Sequence, residues 1–258
     1  MTKLTSLEKA LKLFDAVAKA KNIGLRDVAT ELGFPPSTVH RLLGVLTASR
    51  YLKQDPKTKK YQLSLKFLEM AAAVRENLDV ITVARPHMLF LTQVTSETVN
   101  LAFFEETEIV YVDQIANSDS LLRMFTRVGT RAPLYCTGVG KAYLAYQPKR
   151  FVSEYWSAAC KKRYTIKTIV DEAELERELE TIRQLGYAVD DEEMEIGVRC
   201  VSAPIRQHSG SVVAAISISG PSSRLTSERT PVVGDLVRKT AAEISADLGY
   251  TNMGPAGT

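Results

Sequence analysis

Apolar residues recur with a helical period through the first twenty positions of the chain. Thr5 and Glu8 have the spacing of a capping box, in which each side chain satisfies the other residue's backbone amide at a helix N-terminus. The apolar positions that follow are spaced as one stripe of an amphipathic helix, which we expect to face a core. That stripe consists of Leu7, Leu11, Phe14 and Val17.

Two further helical patterns follow, separated only by Gly33-Phe34-Pro35. The first ends at Gly33, and the second begins at Pro36, where a proline nitrogen needs no intrahelical partner. This turn length is typical of a helix-turn-helix, whose second helix reads the major groove. The candidate DNA contacts on the two helices are Arg26, Pro36, Ser37, Thr38, His40 and Arg41. The same geometry occurs in proteins that never touch DNA, so taken alone it leaves both interpretations open.

A β-hairpin pattern comes next, at residues 51–63. Two short alternating strands flank a turn-forming cluster at Asp55-Pro56-Lys57-Thr58. Lys57, Lys59 and Lys60 lie at the tip, where a wing beside a recognition helix would meet DNA phosphates or the minor groove. The alternative is an edge hairpin that its lysines protect from further pairing.

The remaining pattern mixes helices with strands. Residues 65–77 contain no glycine or proline and predict a linker helix. A helix over 80–95 follows, capped by Asp79, with an apolar face of Ile81, Ala84, Met88, Leu91 and Val94. Strands are predicted at 98–106, 108–116, 120–128, 187–190, 198–206 and 212–220, and helices near 137–146, 149–158, 171–185 and 227–248. The short 105–108 connection predicts an antiparallel hairpin, so the larger part is α+β and not doubly wound.

Composition adds an ordinary globular background, with 45% hydrophobic and 24% charged residues among 258. This length accommodates two domains. No apolar run approaches the ~20 residues of a membrane span, and the N-terminus lacks signal-peptide features. Three widely spaced cysteines provide neither a disulfide framework nor a metal pair. We therefore expect a cytoplasmic protein with no membrane partner and no cofactor.

Charge is distributed unevenly. Residues 1–66 contain 13 Lys/Arg against 5 Asp/Glu, whereas the other 192 residues contain 20 against 25. The net charges are therefore +8 and −5. A basic N-terminal part with a helix-turn-helix and a lysine-tipped hairpin favours binding to a polyanion, namely double-stranded DNA.

The acidic stretch DDEEMEIGVRC, at 190–200, raises the question of a catalytic or metal site. It lacks the ligand spacing of a calcium loop, and only three histidines are present, too few for a zinc cluster or histidine-based triad. GVGKA resembles part of a phosphate loop, but Tyr135 and Ala142 break the GxxxxGK(S/T) spacing. We expect no enzymatic activity and interpret most of these carboxylates as a solvated rim.

The order and spacing of several segments resemble the IclR family of bacterial transcription regulators over nearly the whole chain. The segments are SLEKALKLFDAV, GFPPSTVHRLL, YLKQDPKTKKYQLSLKFLEM, VGTRAPLYCTGVGKAYLA, LGYAVDDEEMEIGVRCVSAPI and AAISISGPSSRLT. The resemblance implies a winged helix-turn-helix (residues 1–64), a linker helix (65–78), a GAF-like α+β domain for effector binding and oligomerisation (79–250) and a flexible tail (251–258). It further implies homodimers or homotetramers on palindromic or repeated operators.

The resemblance also implies where an effector would bind. Polar contacts would come from the backbone of Gly138 and Val139 and from Asp190, Cys200, Ser217 and Ser219, with apolar walls from Leu121, Met124 and Val198. The residues agree with this, since amides that open a helix attract anions and serines two apart on a strand share a face. Two alternatives stay open: the serines serve only an internal hydrogen-bond network, and Cys200 is only a small buried apolar group.

The favoured interpretation is a repressor, in preference to an activator, controlled by a small metabolite such as an organic acid. Two rival classes remain. One is an enzyme with an accessory nucleic-acid domain, and the other is an adaptor that uses its winged helix to dock proteins. Turnover without DNA would identify the first, and absence of salt-dependent DNA binding would favour the second.

Overall fold

A computed structural model of the chain describes residues 5–76, 79–116 and 127–251. The chain divides into two compact units, residues 1–78 and 79–258, and each is considered by itself. Most of the predicted 251–258 tail lies outside the described residues. None of the described helices is long and apolar enough to cross a membrane.

The N-terminal unit is a three-helix core with a hairpin and a fourth helix. Its elements are α1 (Ser6–Ala20), α2 (Leu25–Leu32), α3 (Pro36–Ala48), β1 (Leu52–Gln54), β2 (Tyr61–Leu63) and α4 (Lys66–Glu76). The capping box is formed, because Thr5 Oγ1 accepts the Glu8 N–H at 3.2 Å while the Glu8 carboxylate accepts the Thr5 N–H at 2.6 Å. Gly33 ends α2 in the left-handed conformation, at φ 64°.

Only the second half of the predicted α1 stripe meets the core, where Val17 is buried and Phe14 is partly buried. Leu7 and Leu11 are exposed, at 70% and 53%. Leu13 and Ala16, which lie beside the stripe, are buried against the other helices in their place. The apolar sides of α2 and α3 pack into the same core, since Val28 and Ala29 are buried and so are Val39, Leu42, Leu43 and Leu46. α1 has apolar residues on two sides, and its packing partners select between them.

The C-terminal unit is built on one six-stranded antiparallel sheet with the order β5-β4-β3-β8-β7-β6. The strands are β3 (Thr98–Glu105), β4 (Glu108–Ile115), β5 (Arg131–Pro133), β6 (Ala188–Asp191), β7 (Val198–Arg206) and β8 (Val212–Pro221). The helices are α5 (Asp79–Thr95), α6 (Gly138–Leu144), α7 (Lys149–Ala158), α8 (Glu172–Leu185) and α9 (Thr230–Asp247). The predicted α+β class is confirmed.

The helices pack on the sheet in two groups. Helices α6, α7 and α8 share a core with alternate strand residues such as Ala102, Tyr111 and Ala215, whereas α5 and α9 contact each other and the sheet. Ile81, Ala84, Met88 and Leu91 of α5 are buried as predicted, but Val94 is 57% exposed because only the earlier turns of that stripe are covered.

Two predicted boundaries also differ. The predicted strand at 120–128 lies almost wholly outside the described residues, and its last two positions belong to no strand. α9 begins at Thr230 and not at Ser227, because residues 227–229 form a turn ahead of Pro231 in the first helical turn.

Candidate functional site

The solvent face of α3 carries the candidate DNA contacts. Ser37, His40 and Arg41 are exposed on it and Thr38 is half-buried, while Pro36 at its start and Arg26 on α2 are exposed too. The opposite face of α3 packs into the helical core. The helix is therefore anchored by one side and presents polar and cationic groups on the other.

The hairpin between β1 and β2 is ordered by one carboxylate at its turn. Asp55 Oδ1 accepts the backbone N–H groups of Lys57 and Thr58, both at 2.8 Å. These backbone hydrogen bonds hold the pKa of Asp55 below its ordinary value. Lys59 adopts a left-handed φ of 58°, and Lys57, Lys59 and Lys60 are all exposed. The turn thus presents three cations on a defined backbone.

A cavity of about 110 Å³ lies in the C-terminal unit beside β4, β5 and β7. Four predicted effector contacts line it, namely Asp190, Val198, Cys200 and Ser219. Seven further residues that were not predicted from the sequence also line it: Tyr111, Thr130, Arg131, Ala132, Thr137, Met194 and Glu195. The strand register brings them together, since β7 pairs Cys200 with Ser219 on one side and with Asp190 on the other.

The other predicted effector contacts are placed differently. Gly138 and Val139 are buried, but they do not line the cavity; Thr137, which caps α6 by accepting the Gly140 N–H at 3.2 Å, does. A Cβ added to Gly138 would lie 2.5 Å from Ser202 Oγ, so this glycine permits close packing of α6 on β7. Leu121 and Met124 lie outside the described residues.

Ser217 and Ser219 belong to an internal hydrogen-bond network. Asn100 Nδ2 donates to both hydroxyls, at 3.3 and 3.1 Å, and Asn100 Oδ1 accepts from Gln114 Nε2 at 2.8 Å. Ser219 also lines the cavity, whereas Ser217 does not. The network alternative is therefore realised for both serines, and only Ser219 combines it with a place at the cavity.

Asp190 is a buried acid at the cavity wall. Its side chain is 4% exposed, and Oδ1 accepts the backbone N–H groups of Glu193 at 2.7 Å and Met194 at 3.4 Å. Burial, together with the nearby Glu193 carboxylate, raises the pKa of Asp190 to about 7. Asp190 can therefore carry or release a proton near neutral pH.

The inner part of the acidic stretch is a buried ion pair, not a solvated rim. Lys141 of α6 is 1% exposed; its Nζ contacts Glu193 and lies 2.8 Å from Glu178. Burial alone would lower the pKa of Lys141, but the two carboxylates raise it. Burial raises the pKa of Glu193, against the opposing effect of Lys141.

The outer carboxylates are paired as well. Asp191 accepts from Arg199 Nε at 2.7 Å and from Lys167 Nζ at 3.1 Å, and Glu192 accepts from Lys167 at 3.0 Å. Glu192 also accepts the Gly197 N–H at 2.7 Å, which closes the loop. The interpretation as a solvated rim is therefore wrong, because Lys141 and Lys167 from two other segments, and Arg199 within the stretch itself, pair with its carboxylates. No cluster of metal-binding side chains occurs among the residues that the structure describes.

A helix-turn-helix unit with a lysine-tipped hairpin, followed by an α+β unit with a small cavity beside its sheet, defines the class of a DNA-binding transcription regulator. The model for the IclR helix-turn-helix domain matches residues 6–56, and that for the bacterial transcriptional regulator IclR C-terminal region matches residues 72–246. The chain belongs to the IclR family of bacterial transcriptional regulators.

Named relatives agree along almost the full length. The HTH-type transcriptional repressor AllR of Escherichia coli (strain K12) is 38% identical over 245 residues, covering 95% of this chain and 90% of the relative. The regulator KdgR of the same strain is 34% identical over 249 residues, covering 96% and 94%. The crystal structure of the Thermotoga maritima IclR superposes with a TM-score of 0.82 at 33% identity, covering 95% and 99%. These relatives are named as regulators and repressors, not as enzymes.

Proposed function

We propose that this protein is a transcriptional repressor whose operator binding is controlled by a small organic acid in the C-terminal unit. The cavity beside β4, β5 and β7 is the observation that carries the proposal. Its volume of about 110 Å³ is below the ~300–1,000 Å³ usual for drug-sized ligands, which favours a small metabolite. The name of the AllR relative supports repression over activation.

The chemistry of the cavity suits a hydroxylated or carboxylated guest. Arg131, whose guanidinium also pairs with Glu105 and Glu108, is the one cation among its described lining residues, and Thr130, Thr137 and Ser219 contribute hydroxyls. Its apolar walls include Val198 and Met194, so a short carbon skeleton with polar ends fits the mixture. A guest acts only through different affinities for the DNA-competent and DNA-incompetent states, and α4, which joins the two units in sequence, would transmit that difference.

The effector proposal is tested by a matched pair of serines. The purified full chain is screened by thermal shift against two- to eight-carbon carboxylates with and without hydroxyl groups, and hits are measured by calorimetry. Ser219→Ala should weaken a hit about tenfold, whereas Ser217→Ala, which shares the same asparagine but does not line the cavity, should stay within about threefold. Equal effects of the two substitutions would reject this placement.

The DNA proposal places two α3 helices of a dimer, or of each pair in a tetramer, in successive major grooves of a palindromic or repeated operator. Operators are selected from random duplexes with the full chain. Lys60→Ala should weaken all sequences alike and reduce the salt slope by about 1. Arg41→Ala should change the preferred sequence by removing a base contact. Unchanged binding in both variants would contradict the docking.

A further inference from the structure

The solvent face of α3 continues beyond the predicted DNA contacts. At 100° per residue, Gly44 lies on the same side as Ser37 and Arg41, and Val45 lies at the edge of that side. Both are exposed, while Leu42, Leu43 and Leu46 turn inward. A helix that lies along a groove presents this second half of its face as well as its start.

Gly44 has no structural reason to be glycine. A Cβ added there would meet nothing within 4 Å, and the residue does not adopt a left-handed backbone conformation. Glycine inside a helix is destabilising relative to alanine, because it loses more conformational freedom on folding. The N-terminal unit therefore keeps a destabilising glycine in the second half of the solvent face of α3. The missing side chain lets another molecule approach the helix backbone closely there.

Val45, the next residue, is an exposed apolar side chain on the same helix. It is 55% exposed although α3 is otherwise anchored through its apolar side. An apolar group on a recognition helix matches the C5-methyl of thymine, which only the major groove presents. Gly44, which has no side chain, and the exposed Val45 beside it are better suited to close contact with base edges than to contact with water.

We propose that Gly44 lets α3 sit deep in the major groove and that Val45 packs on a thymine methyl, so that each operator half-site requires thymine at one fixed position. This inference rests on the proposed docking of α3. It adds an apolar readout to the hydrogen-bonding readout at the start of the helix.

The first test separates stability from DNA affinity. In the full chain, Gly44→Ala and Gly44→Gln should raise the thermal midpoint of the N-terminal unit by about 4 °C, since both are better helix formers. Their affinity for a selected operator should fall about threefold and more than tenfold, in order of side-chain size. Affinities within twofold of the unsubstituted chain would overturn the role of Gly44.

The second test changes one methyl on the DNA. Each thymine of the selected operator is replaced singly by deoxyuracil, which lacks only the C5-methyl. One position per half-site should lose about three- to tenfold in affinity, and Val45→Ala should abolish that sensitivity while Arg41→Ala retains it. A uracil effect that survives in Val45→Ala, or no sensitive thymine at all, would overturn the inference. If these tests fail while Lys60→Ala and Arg41→Ala still change operator binding as expected, the thymine readout is rejected and the proposed docking of α3 stands.

Discussion

Replacing Asp190 by asparagine should stabilise the C-terminal unit at alkaline pH. The ionised acid is buried, and among the described residues its backbone partners are the amides of Glu193 and Met194, both on one oxygen. Asparagine keeps that acceptor oxygen and removes the charge. Since the folded pKa is raised, the proton contributes stability that is complete below the unfolded pKa and is lost as pH rises through the folded pKa.

The magnitude follows from the two pKa values. The pKa of Asp190 rises from an ordinary 3.8 to about 7 in the folded unit. At ~1.36 kcal/mol per pKa unit, an ionised Asp190 therefore destabilises the folded unit by roughly 4 kcal/mol above pH 7. At pH 5 only part of this cost applies, because the folded acid is still protonated. The advantage of Asp190→Asn should therefore grow by about 2–3 kcal/mol between pH 5 and pH 8.

The single tryptophan makes the assay specific to this unit. Trp156 is buried on α7, so its fluorescence during urea unfolding reports the C-terminal unit alone. Asp191→Asn is the matched control: Asp191 pairs with Arg199 and Lys167, which lower its pKa against the opposing effect of burial. Its substitution should destabilise equally at pH 5 and pH 8. A pH-independent effect of Asp190→Asn would refute the reasoning.

Three further substitutions probe the buried polar groups and the wing. Lys141→Met should cost about 3–5 kcal/mol in the free energy of unfolding, and adding Glu193→Gln should restore at least half, because a lone buried charge is worse than none. Asn100→Leu should cost about 1–3 kcal/mol by the same fluorescence assay, since it removes the amide that donates to the buried Ser217 and Ser219 hydroxyls across the sheet. Asp55→Ala should weaken binding to all operators in a gel-shift titration, whereas Asp55→Asn, which keeps the turn's acceptor oxygen, should not.

The elements with local signals could be predicted closely. Thr5 and Glu8 form the expected capping box and Gly33 ends α2, because caps depend on residues within one turn of each other. The face of α1 could not be predicted in the same way. Leu11 and Leu13 are both apolar, and only the packing of α2 and α3 decides that Leu13 is buried.

Four residues predicted as effector contacts, on β6, β7 and β8, line the cavity, whereas the side chains that surround them could not be paired with them from the sequence. Asn100 stands out as an amide inside the apolar strand TVNLAFF, and that signal could have identified it. The Lys141–Glu193 pair spans segments 52 residues apart. Periodicity carries no information about such a pair, because it depends on how α6 settles on the sheet.

The raised pKa of Asp190 also predicts that the proposed organic anion binds more tightly as pH falls. Above about pH 7 the ionised Asp190 repels a carboxylate in the cavity, whereas the protonated acid can donate to it. Affinity should therefore fall up to about tenfold per pH unit above that pKa and level off below it. Calorimetry at pH 6, 7.5 and 8.5 measures this dependence, with Asp190→Asn as a control that should be nearly flat. Burial also raises the pKa of Glu195, the other acid among the described residues that line the cavity. Equal pH dependence in both proteins would show that Asp190 does not meet the anion.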